Sequence, residues 1–593
     1  MISSLRPLLS HHNKKHRRAV LAALFVFCIF IVVRRYSFVE TTDQAITKEK
    51  HLEDLQVDRF EHVDHKTAVH LQQPSSFGND AAVKPDILKW ITQLMNKHNP
   101  QIPYSSLLTQ YLSDEPAKQR FISDTDHIFS KQYLSSLLRI PDSTKEKLQT
   151  SHKSLMQTLN SIPAQFTTFG STDPAVKQGI VFVGGGKFSW LVLIIIEQLR
   201  QNCRTELPIE VFIPTVEEYE PYYCDVVLPK YGAKCTMFFQ TLAEMFDIIS
   251  EENQRPKEQS IGGIGYRFKI LAILASKFED MLLLDADNAP LFDPAELFQQ
   301  PVYQETNMII WPDPWSRTTN PAFYDITGLK VSNEIVRGAG SKLKTQEETD
   351  LYYDTNVTYH DLNGTLPNPS SESGMLLVNK RTHLKTLLLA LYYNLYGPGL
   401  YYPLLTQGAA GEGDKETFIA SVVVAGEPYH QIQSLFAFIG WFDRNGGFNS
   451  KALGQRDPQQ DYLKLKDPRI FFMHLSYPKL IPQLLFNDAE NKGKSGELNH
   501  FDQDKQEWYK SRLYLSSTRA AGYDFELKIF ENTWLLMCGG GRDTTTTQQN
   551  QVVTFPGVAK NLKFFEGLET DLDNWYCPLL KEHVIWLREH PEE

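Results

Sequence analysis

The stretch Met281-Leu-Leu-Leu-Asp-Ala-Asp-Asn288 runs four apolar residues straight into a pair of carboxylates. An apolar run this short, without polar alternation, predicts a strand buried on both faces, as in a parallel sheet covered by helices. Side chains alternate along an extended strand, so Asp285 and Asp287 are expected to point one way and Ala286 the other. Two like charges at a sheet edge are unfavourable unless they are paired or metallated. Carboxylates are hard donors of the kind that hold Mg²⁺ or Mn²⁺ while leaving positions open to the oxygens of a diphosphate. The D-x-D spacing alone selects nothing, since it recurs at Asp124 and Asp126, Asp502 and Asp504, and Asp571 and Asp573. Only the pair at Asp285 ends an all-apolar strand, and the plain alternative is a loop whose aspartates cap turns of Asn288-Ala-Pro290.

Upstream, residues 179–183 read as a strand that meets Gly184-Gly-Gly186, then an apolar helix over 188–199 and a second strand over 208–213. Strand, glycine turn, helix and strand open a parallel α/β sheet, whose ligands gather at the carboxyl ends of the strands. The glycine turn is no P-loop, because Lys187 is followed by Phe188 before Ser189, and it is not G-x-G-x-x-G either. A simple turn is its alternative reading. A helix predicted over 266–278 starts with Tyr266 and the cations Arg267 and Lys269, where a phosphate or base could be met, or else a solvated helix end.

Downstream, Gly411-Glu-Gly-Asp-Lys-Glu-Thr417 opens a helical run over 418–424. Local sequence favours Asp414 as the N-cap of that helix over a catalytic role. A strand over 470–473 delivers His474, ahead of Tyr477-Pro478-Lys479. Imidazole there is either structural or a third metal ligand.

The chain has 593 residues, 42% of them hydrophobic, enough for a large core. Its net charge is -11. Arg6, Lys14, Lys15, Arg17 and Arg18 lie among the first eighteen residues, which hold no acid; the rest carries 55 basic against 71 acidic side chains, a balance of -16. Such a body repels phosphate backbones, which excludes nucleic-acid binding. Residues 19–33 form an unbroken apolar run between Lys14 to Arg18 and Arg34-Arg35. No small-x-small cleavage site follows, so an uncleaved anchor is expected over a signal peptide. The run is short for a ~30 Å hydrocarbon core and suits snorkelling flanks or a thin bilayer. The polar residues that follow suit a solvated stem. Helical spacing broken by Pro103, Pro116 and Pro141 marks a helical lead-in. Two sequons, at Asn356 and Asn363, lie in a polar stretch. Cys203, Cys224, Cys235, Cys538 and Cys577 follow the anchor, so at most two disulfides form and one thiol is left over.

Taken together, Gly184-Gly-Gly-Lys-Phe-Ser-Trp190, Leu207-Pro-Ile-Glu-Val-Phe-Ile-Pro214, Leu283-Leu-Asp-Ala-Asp-Asn288, Trp311-Pro-Asp-Pro-Trp315, Glu372-Ser-Gly374 and Gly411-Glu-Gly-Asp-Lys-Glu416 carry a family resemblance. Over residues 184–482 the chain resembles the fungal Golgi α-mannosyltransferases that build mannan (glycosyltransferase family 71), most closely the α-1,2 enzymes that start outer-chain branches. The resemblance implies a type II membrane protein of α/β class with a GT-A fold, a Rossmann-like mixed sheet. It also implies GDP-mannose as donor, Mn²⁺ as cofactor and retention of configuration, with front-side displacement as one route. The implied organisation is a cytoplasmic tail (1–18), transmembrane signal-anchor (19–33), luminal stem (34–85), helical lead-in (86–170), GT-A catalytic domain (171–490) and a C-terminal extension packed on it (491–593).

Residue by residue, the resemblance makes Asp285, Asp287 and His474 the metal set and Asp287 and Asp414 catalytic. Gly184, Gly185, Gly186, Lys187, Tyr266, Arg267, Lys269, Asp285 and Lys479 become donor-binding. Trp311, Asp313, Trp315 and Glu372 become acceptor-binding, the tryptophans by stacking on sugar faces, although core packing is their commoner use. Asn356 and Asn363 are the expected glycosylation sites. Expected partners are mannose-terminated glycans on glycoproteins, the Golgi membrane and other mannosyltransferases in a complex. The rival readings are α-1,3-mannosyl or mannosylphosphate transfer, and a catalytically silent glycan-binding or assembly subunit.

Overall fold

The computed structural model describes residues 85–592 except 114–116, 118–119, 123–126, 164–176, 238–264, 339–349, 487–495, 503 and 541–554. The expected tail, anchor and all but the last residue of the stem lie outside the described residues. Among those described, no helix is long and apolar enough to cross a membrane.

The main sheet is built from β1 (Gln178–Val183), β2 (Ile209–Phe212), β3 (Ala233–Thr236), β4 (Asp280–Leu284), then, after a short β5 (Asn288–Pro290), β6 (Met308–Pro312), β7 (Ser371–Asn379) and β8 (His430–Gln431). Its order is β3-β2-β1-β4-β7-β6-β8. The first four run parallel, and β7 enters antiparallel between β4 and β6. β4 is buried along its whole length, as its unbroken apolar run dictates.

Alternation divides the core. Ile180, Phe182, Leu282, Leu284, Met375 and Leu377 face one hydrophobic layer, while Val181, Met281, Leu283, Leu376 and Val378 face the other. The longer helices among the described residues are α1 (Pro85–Lys97), α2 (Asp142–Leu159), α3 (Lys187–Gln201), α4 (Arg267–Ala275), α5 (Leu384–Leu395), α6 (Lys415–Ala425), α7 (Phe525–Cys538) and α8 (Cys577–Glu589). α3, α7 and α8 cover the first face, and α4, α5 and α6 cover the second together with α1 and α2 of the lead-in. At roughly 1.5–3 kcal/mol per fully buried apolar side chain, Leu148 and Leu155 of α2 and Ile529 and Phe530 of α7 fasten both flanking segments into the two hydrophobic layers.

A second sheet, β5-β11-β10-β9, adds β9 (Ala437–Phe442), β10 (Phe448–Arg456) and β11 (Ile470–His474) in antiparallel pairs. Its register sets His474 opposite Asn288, one residue beyond the acidic pair. Cys224–Cys235 and Cys538–Cys577 form disulfides, and Cys203 is the leftover thiol, buried and donating to the Pro290 carbonyl at 3.2 Å.

One geometric expectation is corrected. β4 stops at Leu284, and Asp285 to Asn288 form a turn closed by the Asn288 N–H to the Asp285 carbonyl at 3.1 Å. Strand alternation therefore does not align Asp285 with Asp287. The chain must swing there from the main sheet into β5 of the second.

Candidate active site

The turn is fastened to β7 by the Asp285 N–H, which donates to the Gly374 carbonyl at 2.8 Å. Its two carboxylates then diverge. Asp285 faces Lys269 of α4 at 2.8 Å, and the same ammonium meets the Ser373 hydroxyl at 3.1 Å and the Asp414 carboxylate at 3.7 Å. Asp287 instead pairs with Lys479 and lies 3.5 Å from His474 Nε2. The other imidazole nitrogen, Nδ1, is 3.2 Å from Glu372 Oε2, while Glu372 Oε1 accepts the backbone N–H groups of Ser373 at 2.9 Å and Gly374 at 2.7 Å.

Burial raises Asp285 above the usual carboxylate range, with Lys269 opposing. Asp287 is held well below that range because Lys479 and His474 outweigh the effect of burial. Burial is likewise overcome at Glu372, where His474 and the backbone donors bring the carboxyl to about 2. Asp287 and Glu372 in turn hold the His474 imidazolium well above its ordinary value against burial. Asp414 is pushed by burial up to about 6, with Lys269 opposing.

The start of α6 forms the opposite wall. Asp414 accepts from the Ser373 hydroxyl at 3.3 Å, Lys415 pairs with Asp313, and Glu416 pairs with the fully buried Arg317 while accepting the Ser371 N–H at 3.1 Å. A Cβ on Gly413 would lie 2.9 Å from the Tyr266 ring, so glycine there lets α4 and α6 close together. Behind Asp287 lies a narrow recess lined by Leu191, Ile195, Ala286, Leu475, Lys479 and Leu480.

The donor chemistry fits a divalent cation. Glu372 holds the far nitrogen of His474 as a supporting carboxylate holds a metal-binding imidazole. Asn288 is fully buried, and neither end of its amide finds a hydrogen-bond partner among the described residues, which leaves another oxygen donor uncommitted beside the pair. Among the described residues no three His, Cys, Asp or Glu side chains converge on one point. A cation joining Asp285, Asp287 and His474 has to displace the two lysine ammonium groups from the carboxylates and the Nε2 proton from the imidazolium.

Residues 177–457 match the mannosyltransferase family Mannosyl_trans3. The α-1,2-mannosyltransferase MNN2 of Candida albicans is 38% identical over 546 residues, covering 88% of this chain and 86% of that relative. The chain belongs to the α-1,2-mannosyltransferase family. MNN2 of Saccharomyces cerevisiae is 36% identical to this mannosyltransferase over 395 residues, 65% of the chain and 62% of that relative. The solved mannosyltransferase Ktr4p of S. cerevisiae is a loose likeness, 11% identical with a TM-score of 0.24, spanning 59% of this chain and 84% of that one.

The mannosyltransferase brings Lys269, Asp285, Asp287, Glu372, Asp414, His474 and Lys479 together, and Asp313 joins through Lys415. Gly184, Gly185 and Gly186 follow β1, the strand beside β4, and Lys187 opens α3. Asp414 precedes α6 as an N-cap would, but its side chain caps nothing and turns to Ser373 and Lys269 instead. Trp311 is corrected to a core residue: fully buried, edge-on to Phe472 and donating to the Arg456 carbonyl, it is beyond reach of a sugar face. Trp315 is half-buried and stacks on Phe121 at 4.6 Å. Arg267 is also corrected, being 1% exposed on the inward side of α4 rather than at a phosphate-facing surface. Asn356 and Asn363 are exposed, as acceptors of glycan must be.

Sequence reasoning missed Ser373, which bridges Lys269 and Asp414, and Trp190, whose indole N–H donates to the Leu480 carbonyl and so seats the Lys479 loop. Both lay inside quoted motifs, Glu372-Ser-Gly374 and Gly184 to Trp190, but a small hydroxyl and a helix tryptophan carry no chemical signal without their partners.

Proposed function

We propose that this mannosyltransferase moves mannose from GDP-mannose onto mannose-terminated N-glycan outer chains, forming α-1,2 branches with retention in the Golgi lumen, with Mn²⁺ held by Asp285, Asp287 and His474. The observation that carries the reading is His474, set between Asp287 and Glu372 at the sheet edge where the acidic turn begins. When bound, the cation supplies charge neutralisation to the donor diphosphate.

The protein's own groups do the rest. Lys269 and Lys479 place two ammonium charges at the turn, suited to phosphate oxygens. Glu372 orients the imidazole, and Asp414, brought to about 6, stays mostly anionic at neutral pH and can accept a sugar hydroxyl. Lys415 and Arg317 fix Asp313 and Glu416, so the wall carrying Asp414 resists displacement.

The test incubates the full-length chain in detergent with GDP-mannose, Mn²⁺ and an α-1,6-mannoside, followed by linkage analysis. A 1,2-linked product supports the proposal, and a 1,3-linked product overturns the linkage. Absence of Mn²⁺-dependent transfer would instead favour a glycan-binding or assembly subunit. Asp285→Ala should abolish turnover in a folded protein.

A further inference from the structure

The turn after β1 carries a feature outside the site described so far. The Gly184 N–H donates to the Phe212 carbonyl at 2.8 Å, tying the turn to β2, and the Gly185 N–H is taken by the Ser189 hydroxyl at 3.0 Å. Gly185 and Gly186 have φ of +100° and +51°, a region L side chains rarely adopt. A Cβ on Gly185 would fall 2.7 Å from the Glu218 carboxyl carbon and 2.8 and 2.9 Å from its oxygens, and one on Gly186 would fall 3.9 Å from Oε1. The turn is bare, and a carboxylate from the segment after β2 lies across it. Among the described residues only Thr215 donates to that carboxylate, its hydroxyl to Oε2 at 3.2 Å and its backbone N–H besides, which leaves acceptor capacity to spare. Burial pushes the group up to about 7, the Thr215 hydroxyl opposing.

The position gives this carboxylate a ligand. β1 and β4 run parallel and their last paired residues are Phe182 and Leu284, so the glycine turn and the acidic turn leave neighbouring strands at the same edge of the sheet. Strands lie about 4.8 Å apart, so the glycine turn beneath Glu218 is the neighbour of the turn whose carboxylates are proposed to meet the diphosphate. A glycine turn after the first strand and an acid beyond the second is also how dinucleotide-binding sheets hold ribose hydroxyls, although the glycine spacing here differs. A vicinal diol offers two O–H donors to two carboxylate oxygens.

We propose that Glu218, laid over the Gly184 to Gly186 turn, accepts the ribose hydroxyls of the donor nucleotide. The proposal rests on reading the chain as a nucleotide-sugar transferase.

The test measures calorimetric affinities of the full-length chain for GDP, 2′-deoxy-GDP and inosine diphosphate with Mn²⁺ present, for wild type, Glu218→Gln and Glu218→Ala, each first shown to melt as the wild type does. Wild type should prefer GDP over 2′-deoxy-GDP by roughly tenfold or more, as suits a charge-assisted hydrogen bond. Glu218→Ala should erase that preference, and Glu218→Gln, which keeps one acceptor, should reduce it. A preference that survives in Glu218→Ala, or is absent from wild type, overturns the ribose assignment while leaving donor binding intact. A change in the GDP to inosine diphosphate ratio alone would move Glu218 to the guanine edge and equally overturn it. Failure of wild type to bind any of the three brings down the donor reading itself, and this proposal with it.

Discussion

Replacing Lys269 by Met keeps an unbranched stem and removes the ammonium that lies between Asp285 at 2.8 Å and Asp414 at 3.7 Å, with a side chain only 14% exposed. Stripping one partner from a buried pair costs about 3–5 kcal/mol when the remaining charge has no escape. Here it has one, because the carboxyls can take up a proton. Asp414 already stands at about 6, and loss of the opposing Lys269 charge moves both acids further upward. An unfolded aspartate releases its proton near pH ~3.9. Between pH 6 and 8 the folded variant therefore binds up to one proton more than the unfolded chain, so its stability falls as pH rises, by up to about 1.4 kcal/mol per pH unit. The stability deficit of Lys269→Met relative to wild type should widen by up to about 2.7 kcal/mol across those two units. Urea unfolding followed by tryptophan fluorescence at pH 6 and pH 8, in chelator, measures it. A deficit that is constant, or that shrinks toward pH 8, refutes the account of Lys269 as counter-charge to this carboxylate cluster.

Glu372→Gln retains an amide oxygen for the Ser373 and Gly374 N–H groups but removes the charge behind His474, so Mn²⁺ affinity should fall about 10- to 100-fold. Titration of activity with Mn²⁺ checks this, and an unchanged curve contradicts the supporting role. Glu416→Ala strands Arg317, whose side chain has no exposed area, and should lower stability by about 3–5 kcal/mol; a melting temperature equal to wild type would show that the pair is dispensable. In the wild type, kcat/KM should decline below about pH 6 as Asp414 takes up its proton, and a flat profile from pH 5 to 8 would remove its anion from the reaction.

Much of the frame was legible because it rests on local patterns. The apolar run before Asp285 and the glycines after β1 specify strand and turn wherever they occur, and the burial of β4 on both faces follows. The direction of Asp285 was not legible, because the chain leaves β4 one residue earlier than alternation requires in order to enter a second sheet whose other strands lie some 150 residues away in sequence. Trp311 and Trp315 look alike in Trp-Pro-Asp-Pro-Trp, yet one lies in the core and the other stacks half-buried on Phe121. Asp414 looked like a helix cap because its competing partners, Ser373 and Lys269, arrive from β7 and α4. In each case the deciding contact is long-range, and local sequence holds no record of it.

The first residues of α6 have one further consequence. Helical positions advance by about 100° each, so Asp414, Lys415 and Glu416 address three different partners, Lys269, Asp313 and Arg317. The sequence acid, base, acid mates with base, acid, base like the cuts of a key. Slip the helix one residue forward and Lys415 confronts Lys269 while Glu416 confronts Asp313. Slip it back and Asp414 confronts Asp313 while Lys415 confronts Arg317. Either error sets two pairs of like charges against each other, so this short cipher rejects misregistered docking as well as rewarding the correct one.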